Sequence, residues 1–105
     1  MRIYISGPIT GHEQTAHDRF KAAEDWLEHL GHETINPWGV AESMMPHIAL
    51  DNEEWLKIDK AMISVCDAVY LMRGWDESNG CGIERRYADE LGLMIMEEND
   101  GKDSD

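Results

Sequence analysis

Residues 59 to 92 read Asp59-Lys-Ala-Met-Ile-Ser-Val-Cys66-Asp67-Ala68-Val-Tyr-Leu-Met72-Arg-Gly74-Trp75-Asp-Glu-Ser78-Asn79-Gly80-Cys81-Gly82-Ile83-Glu84-Arg-Arg-Tyr87-Ala-Asp-Glu-Leu91-Gly92. The stretch predicts the end of a helix, a buried strand from Ala68 to Met72, a glycine-rich loop from Gly74 to Gly82, and a helix that stops at Gly92. Polar loop residues therefore fall at the carboxyl end of a strand and the start of a helix. In open α/β sheets that is where ligands bind.

Working outward toward the N-terminus, Arg2 to Ser6 is a short β-branched and aromatic run ended by Gly7-Pro8, which predicts a first strand. Ala16, Phe20, Ala23, Leu27 and Leu30 recur at spacings of four and three. They predict an amphipathic helix over residues 13 to 30, with Gly31 as its C′ residue. Glu33 to Asn36 predicts a second strand. Residues 37 to 50 have no clean period and contain two prolines and a glycine, so they read as a long loop with one helical turn, of the kind that often covers a site. Asp51 or Asn52 caps the next helix, whose buried stripe is Trp55, Ile58, Met62 and Val65. In the helix after the glycine-rich loop the stripe is Ile83, Tyr87 and Leu91, which sets Glu84 at its margin. Leu93 to Met96 predicts a fourth strand.

Strands alternating with helices imply parallel βαβ units. The expected fold class is α/β, a small three-layer domain with a four-stranded, mainly parallel sheet in the order 2-1-3-4. In that order the Gly7 to Gly11 turn and the Gly74 to Gly82 loop face one crevice. One domain over residues 1 to 96 is followed by an acidic tail, 97 to 105, with little to bury.

The chain has 105 residues, nine Lys and Arg against 22 Asp and Glu, and a net charge of −13. So acidic a protein is a poor partner for polyphosphate, which argues against nucleic acid. There is no apolar run of membrane-spanning length and no leader pattern, so the expectation is a cytoplasmic protein without membrane attachment. Cys66 and Cys81 match no zinc spacing and read as free thiols. The five histidines are scattered with no recognised ligand spacing, and no metal is expected.

Ser6-Gly7-Pro8-Ile9-Thr10-Gly11 is neither a dinucleotide fingerprint nor a Walker loop; its glycines either shape a turn or let a ligand approach. Ser78, Asn79 and Gly80 ahead of a helix suit a small anion, and equally an ordinary N-cap. Asp59, Asp67 and Glu84 are acids spaced by eight and seventeen residues. A carboxylate shielded by apolar neighbours can attack a sugar carbon, and a second one beside it can exchange protons. The plainer reading makes Glu84 a dipole partner, Asp59 a solvated acid and Asp67 a turn cap. Trp38 and Trp75 each follow a strand and suit either the core or stacking on a base.

Tyr4-Ile-Ser-Gly-Pro-Ile-Thr-Gly11, together with Asp59, Asp67, Gly74-Trp75, Ser78, Glu84, Ala88 and Leu91-Gly92, resembles the DUF4406 group of small bacterial and phage proteins. That group is similar in pattern to the nucleoside 2-deoxyribosyltransferases and the deoxynucleoside 5′-monophosphate N-glycosidases. The resemblance covers about residues 1 to 96 and implies a Rossmann-like (flavodoxin-like) fold. It implies that Glu84 is the nucleophile at the anomeric carbon, that Asp59 protonates or orients the leaving base, and that Tyr4 positions the glutamate. Substrate contacts are expected at Gly7, Pro8, Ile9, Gly11, Trp75, Ser78, Asn79 and Gly80 in the two loops, and the resemblance puts Ser78 on the 5′-phosphate. Pro8 and Thr10 stand where the monophosphate branch has a serine and an arginine. Ser78 stands where the transferase branch has an acid.

The function expected from this resemblance is cleavage or transfer at the N-glycosidic bond of a 2′-deoxynucleoside or its 5′-monophosphate, without a cofactor. The partner is a small nucleoside or nucleotide, and the likeness implies a homodimer or larger homo-oligomer. A nucleotide-binding sensor without turnover is the alternative. An adaptor whose acidic surface mimics DNA fits the charge but leaves the ordered acids unexplained.

Overall fold

The computed structural model describes residues 1–98 of the chain. Four strands, β1 (Arg2–Ser6), β2 (Glu33–Ile35), β3 (Ala68–Leu71) and β4 (Met94–Glu97), form one sheet in the order β2-β1-β3-β4, with every pairing parallel. Between them run α1 (Glu13–His29), α2 (Pro37–Met44), α3 (Asn52–Ile63) and α4 (Asn79–Glu90). The expected α/β class and strand order are those observed. No described helix is long and apolar enough to cross a membrane.

Side-chain alternation along β1 divides the domain into layers. Ile3 and Ile5 point to one face and pack with Ala68, Tyr70 and Met72 of the β3 segment and with Ala16, Phe20 and Leu27 of α1. Tyr4 points to the other face, with Val69 and Leu71 of β3, Ile63 of α3 and Ala88 of α4. The parallel register sets Tyr4 beside Val69 and Ser6 beside Leu71, so the carboxyl ends of β1 and β3 are level. Just beyond them Met72 N–H donates to Ser6 O at 2.7 Å.

Three expectations need correction. Residues 37 to 44 form a two-turn helix rather than a loop. Pro37 occupies its first turn, and the Asn36 side chain accepts from Gly39 N–H at 3.1 Å, a start signal that the missing period concealed. In α3 it is Ile63 that is fully buried, while Val65 lies past the helix and is 55% exposed. In α4 the buried residues are Cys81, Glu84 and Ala88, whereas Leu91 is exposed and Ile83 and Tyr87 are only partly covered. The helix is therefore rotated so that its acid, not its apolar stripe, faces inward.

Smaller boundary shifts follow local chemistry. Leu30 is half exposed at the end of α1, and Gly31 takes φ 95°, the left-handed C′ position expected of it. β4 runs to Glu97, and Glu98 N–H donates to Leu71 O at 2.8 Å, so the first two residues of the expected tail belong to the sheet edge. The rest of that tail, from residue 99, lies outside the described residues.

Candidate active site

Tyr4 and Ser6, two residues apart on β1, both face α4 at the end of the strand. Their side chains converge on one carboxyl group. Tyr4 Oη donates to Glu84 Oε2 at 3.0 Å, and Ser6 Oγ donates to Glu84 Oε1 at 2.7 Å. Glu84 is 7% exposed and Tyr4 is fully buried. Asp59 comes from α3, half-buried, and its carboxyl lies against both Glu84 and Tyr4. The structure thus brings together the three residues expected to carry chemistry, from three separate elements.

A carboxylate taken out of water resists ionisation. Burial, and then the neighbouring Asp59, raise the Glu84 carboxyl to about 8, against the lowering effect of the Ser6 and Tyr4 hydrogen bonds. Asp59 is also raised, chiefly by burial. Tyr4 is pushed well above the ordinary phenol value by burial first and Glu84 second. Two neighbouring acids that both resist charge titrate as a pair, and Glu84 keeps its proton up to about 8. Such a pair can present one carboxylate for attack and deliver a proton from its partner.

The N-terminus of α4 supports this arrangement. Ser78 is its N-cap, and Ser78 Oγ accepts from Cys81 N–H at 3.2 Å. A hydroxyl that accepts there still has its own hydrogen to donate, so the capping role and a ligand contact are compatible. Cys81 is 2% exposed and lies beside the Ser6 and Ser78 hydroxyls, with burial raising its thiol. A hollow of about 280 Å³ at this helix end is lined by Asp76, Glu77, Ser78, Asn79, Gly82, Ile83 and Arg86. Asn79 is exposed at the first helical position, and Gly80 follows it in the opening turn.

Other expected contact residues are placed variously. A Cβ on Gly7 would stand 2.5 Å from Met72 Sδ and 3.1 Å from Phe20 Cζ, so the glycine permits a close crossing of the chain. Pro8 is buried beside Gly74, whose own φ is 90°. Ile9 packs on the α1 side of the sheet, away from Glu84. Gly11 is exposed with φ 83°. Trp75 packs against the α4 side, its Nε1 donates to Glu97 Oε1 at 3.4 Å, and Arg85 lies 5.7 Å over its ring. Trp38 packs on the α1 face, with its indole N–H buried and unpartnered.

Asp67 does not join the other two acids. Its Oδ2 accepts from Arg2 N–H at 2.8 Å at the opposite end of the strands, where it ties β3 to β1. The residue that sequence reasoning missed is Ser6. Its signal was the two-residue offset from Tyr4, which puts both on one face of a strand. Among the described residues no three His, Cys, Asp or Glu side chains are gathered as metal ligands, and both cysteines are free thiols.

The family model described as a domain of unknown function, DUF4406, matches residues 1–97. The chain belongs to the DUF4406 family. No curated protein matches the sequence. Among solved structures, this DUF4406 chain is similar to a 2-desoxiribosyltransferase from Leishmania mexicana, with a TM-score of 0.67 and 21% identity over 91% of this chain and 62% of the other. It is also similar to the CMP N-glycosidase BcmB of Clostridium botulinum, with a TM-score of 0.62 and 22% identity over 92% of this chain and 67% of the other. The DUF4406 chain spans about three fifths of the transferase's length, and at these identities the likeness establishes the Rossmann-like fold.

Proposed function

We propose that the protein cleaves or transfers the N-glycosidic bond of a 2′-deoxynucleoside or its 5′-monophosphate through a covalent intermediate on Glu84. The observation that carries this reading is a buried carboxyl with both oxygens held by hydroxyls and a second acid against it. It stands at the level carboxyl ends of β1 and β3. A glutamate wanted only as a dipole partner has no need of such a setting. The similar solved structures, a deoxyribosyltransferase and an N-glycosidase, support the same chemistry.

In the first step a Glu84 carboxylate oxygen bonds to C1′ while the C1′–N bond breaks, its electron pair leaving on the base. The proton shared by the acid pair passes through Asp59 to the base nitrogen. Tyr4 and Ser6 keep the carboxylate oriented during attack. In the second step water, or a second base, attacks C1′, gives its proton back to Asp59 and frees Glu84. The sugar and its 5′ group lie against the Gly7 to Gly11 turn, with Pro8 and Ile9 shaping it from beneath, and against Trp75, Ser78, Asn79 and Gly80. Ser78 donates its free hydroxyl hydrogen to the 5′ oxygen or phosphate.

Trp26 and Met94, each a little over half exposed, leave apolar surface uncovered away from Glu84. A second copy of the chain covers it in the assembly we propose, a homodimer or larger homo-oligomer, which sedimentation tests directly.

One observation favours the competing reading of a nucleotide-binding protein without turnover: at 7% exposure Glu84 has little open approach. Incubating the protein with a panel of deoxynucleosides and their 5′-monophosphates, with and without a free second base, separates the two. Base release that disappears in Glu84→Gln is the expected result. Ligand binding without release from any member of the panel overturns the enzyme reading.

A further inference from the structure

The two acids of the site share nearly all their surroundings. Tyr4 Oη donates to Glu84 and also lies against Asp59. Each carboxyl faces the other. The groups that bear on the Glu84 carboxyl are Tyr4 and Ser6 from β1, Asp59 from α3 and Cys81 from α4, and among the described residues neither Glu84 nor Asp59 forms an ion pair with a lysine or arginine.

Apart from the deeper burial of Glu84, Ser6 distinguishes the pair. Its hydroxyl makes the shorter of the two hydrogen bonds to Glu84, 2.7 Å to Oε1 against 3.0 Å from Tyr4, and does not bear on Asp59. Ser6 is itself 1% exposed, so its hydroxyl has no water to turn to. A hydroxyl donating to a carboxylate in a low-dielectric setting favours the ionised form of that carboxylate. We propose that Ser6 is a positioning residue that assigns the roles in the pair, holding the negative charge on Glu84 and leaving the proton on Asp59 when substrate fills the site.

The physical need for such a group follows from burial. Of the two acids Glu84 is the more deeply buried, and burial alone would keep the proton there, on the group that must attack. A substrate over Asp59 desolvates that acid too and removes this asymmetry. What then remains different between the two carboxyls is the Ser6 hydrogen bond. The side chain belongs to the backbone position just before Gly7, where β1 ends, and Met72 N–H fixes the Ser6 carbonyl at 2.7 Å. Its hydroxyl is therefore placed by the sheet itself.

This inference rests on the glycosidic reading for its kinetic arm and on geometry for its titration arm. The test compares wild type, Ser6→Ala and Ser6→Thr, with folding checked by circular dichroism. In carboxyl-carbon NMR of the full chain without ligand, the Glu84 titration moves to higher pH in Ser6→Ala and returns toward wild type in Ser6→Thr. On the best substrate of the panel, kcat in Ser6→Ala falls about tenfold to a hundredfold, the scale of one hydrogen bond to a charged group. KM changes little, and the acidic limb of the pH–rate profile moves upward. An unmoved Glu84 titration overturns the proposal, and so does a moved titration with unchanged kcat. Absence of turnover in wild type overturns the glycosidic reading alone, and the titration then decides the role of Ser6.

Discussion

The two faces of β1 are made by alternate residues of one five-residue strand, and they are built for different ends. Ile3 and Ile5 meet Phe20, Ala16 and Leu27 in a face whose buried cluster is apolar but for the Tyr70 hydroxyl. Tyr4 and Ser6 meet Glu84, an acid kept out of water that among the described residues has no ion-pair partner. The first face gains free energy from every side chain it covers. The second gives some of that up, because a buried carboxyl flanked by another carboxyl is an unfavourable thing to fold around. A fold that tolerates such a group on one face needs the other face to hold it together.

The largest effect that sharpens this contrast comes from Glu84→Gln. Loss of the attacking carboxylate is expected to lower kcat by roughly a thousandfold or more, measured by base release. The same change is expected to leave the fold intact and to stabilise it in mild alkali. In the folded protein the Glu84 carboxyl keeps its proton up to about 8, whereas the ordinary value is 4.5. Between those values the unfolded chain binds fewer protons than the folded one, so wild-type stability falls as pH rises through the window and levels off above it. The amide has no such proton to lose. Denaturant melts at pH 5 and pH 8.5 should show wild type losing stability over the interval and Glu84→Gln losing less. Equal losses would mean that the acid pair is not what makes this face costly.

On the α1 face the expectation is reversed. Phe20 is 1% exposed at the centre of the apolar cluster, and Phe20→Ala should destabilise the protein by about 3–5 kcal/mol through lost burial and the cavity left behind. The pH dependence of stability should be that of wild type, since Glu84 stands across the sheet. A change in that dependence would show that the two faces are not separable. Gly7→Ala is smaller and more telling, because Gly7 sits where the faces meet. The added methyl would stand 2.5 Å from Met72 Sδ and 3.1 Å from Phe20 Cζ. Met72 and Phe20 must both shift, at about 1–3 kcal/mol. Any change in kcat beyond that loss would report movement of Ser6, the neighbouring residue.

How much of this was legible in the sequence differs between the faces for the same physical reason. Apolar periodicity found α1, short apolar runs ended by turn residues found the strands, and their alternation with helices gave the parallel order, because on the α1 face burial and hydrophobicity agree. It misplaced the inward side of α4, choosing Ile83, Tyr87 and Leu91 over Cys81, Glu84 and Ala88, because a reading that sends apolar residues inside must set a glutamate at the edge. Glu84 and Asp59 stood out as candidate acids from the residues alone, but their separate roles, and Tyr4 altogether, came from the ordered motifs that resemble a family, and the structure brings those three together. Ser6 lies in the same motif as Tyr4, but serine before Gly-Pro reads as turn chemistry until the strand is known to end on it. The helix at Pro37 was missed because its start rests on one side-chain cap, Asn36 to Gly39, rather than on a period. Asp67, with its spacing from the other acids, proved to be a stitch between strand starts.

The smallest expected effect tests how far the site depends on helix ends. Asp51 caps α3 with a reciprocal pair of bonds: its Oδ1 accepts from Glu54 N–H at 2.8 Å, and Glu54 Oε1 accepts from Asp51 N–H at 3.0 Å. Both residues are exposed, so Asp51→Ala should cost about 1 kcal/mol in a denaturant melt, and Asp51→Asn should recover most of it. Asp59 lies two turns further along the same helix, beyond the reach of fraying at its first turn. The acid pair should therefore titrate as in wild type, and kcat should stay within about twofold after correction for the folded fraction, given that 1.4 kcal/mol is a tenfold change. If kcat falls further than the stability does, the entry of α3 into the fold sets the position of Asp59. The chemistry of the α4 face would then depend on the exposed α2–α3 connection as well as on the sheet beneath it.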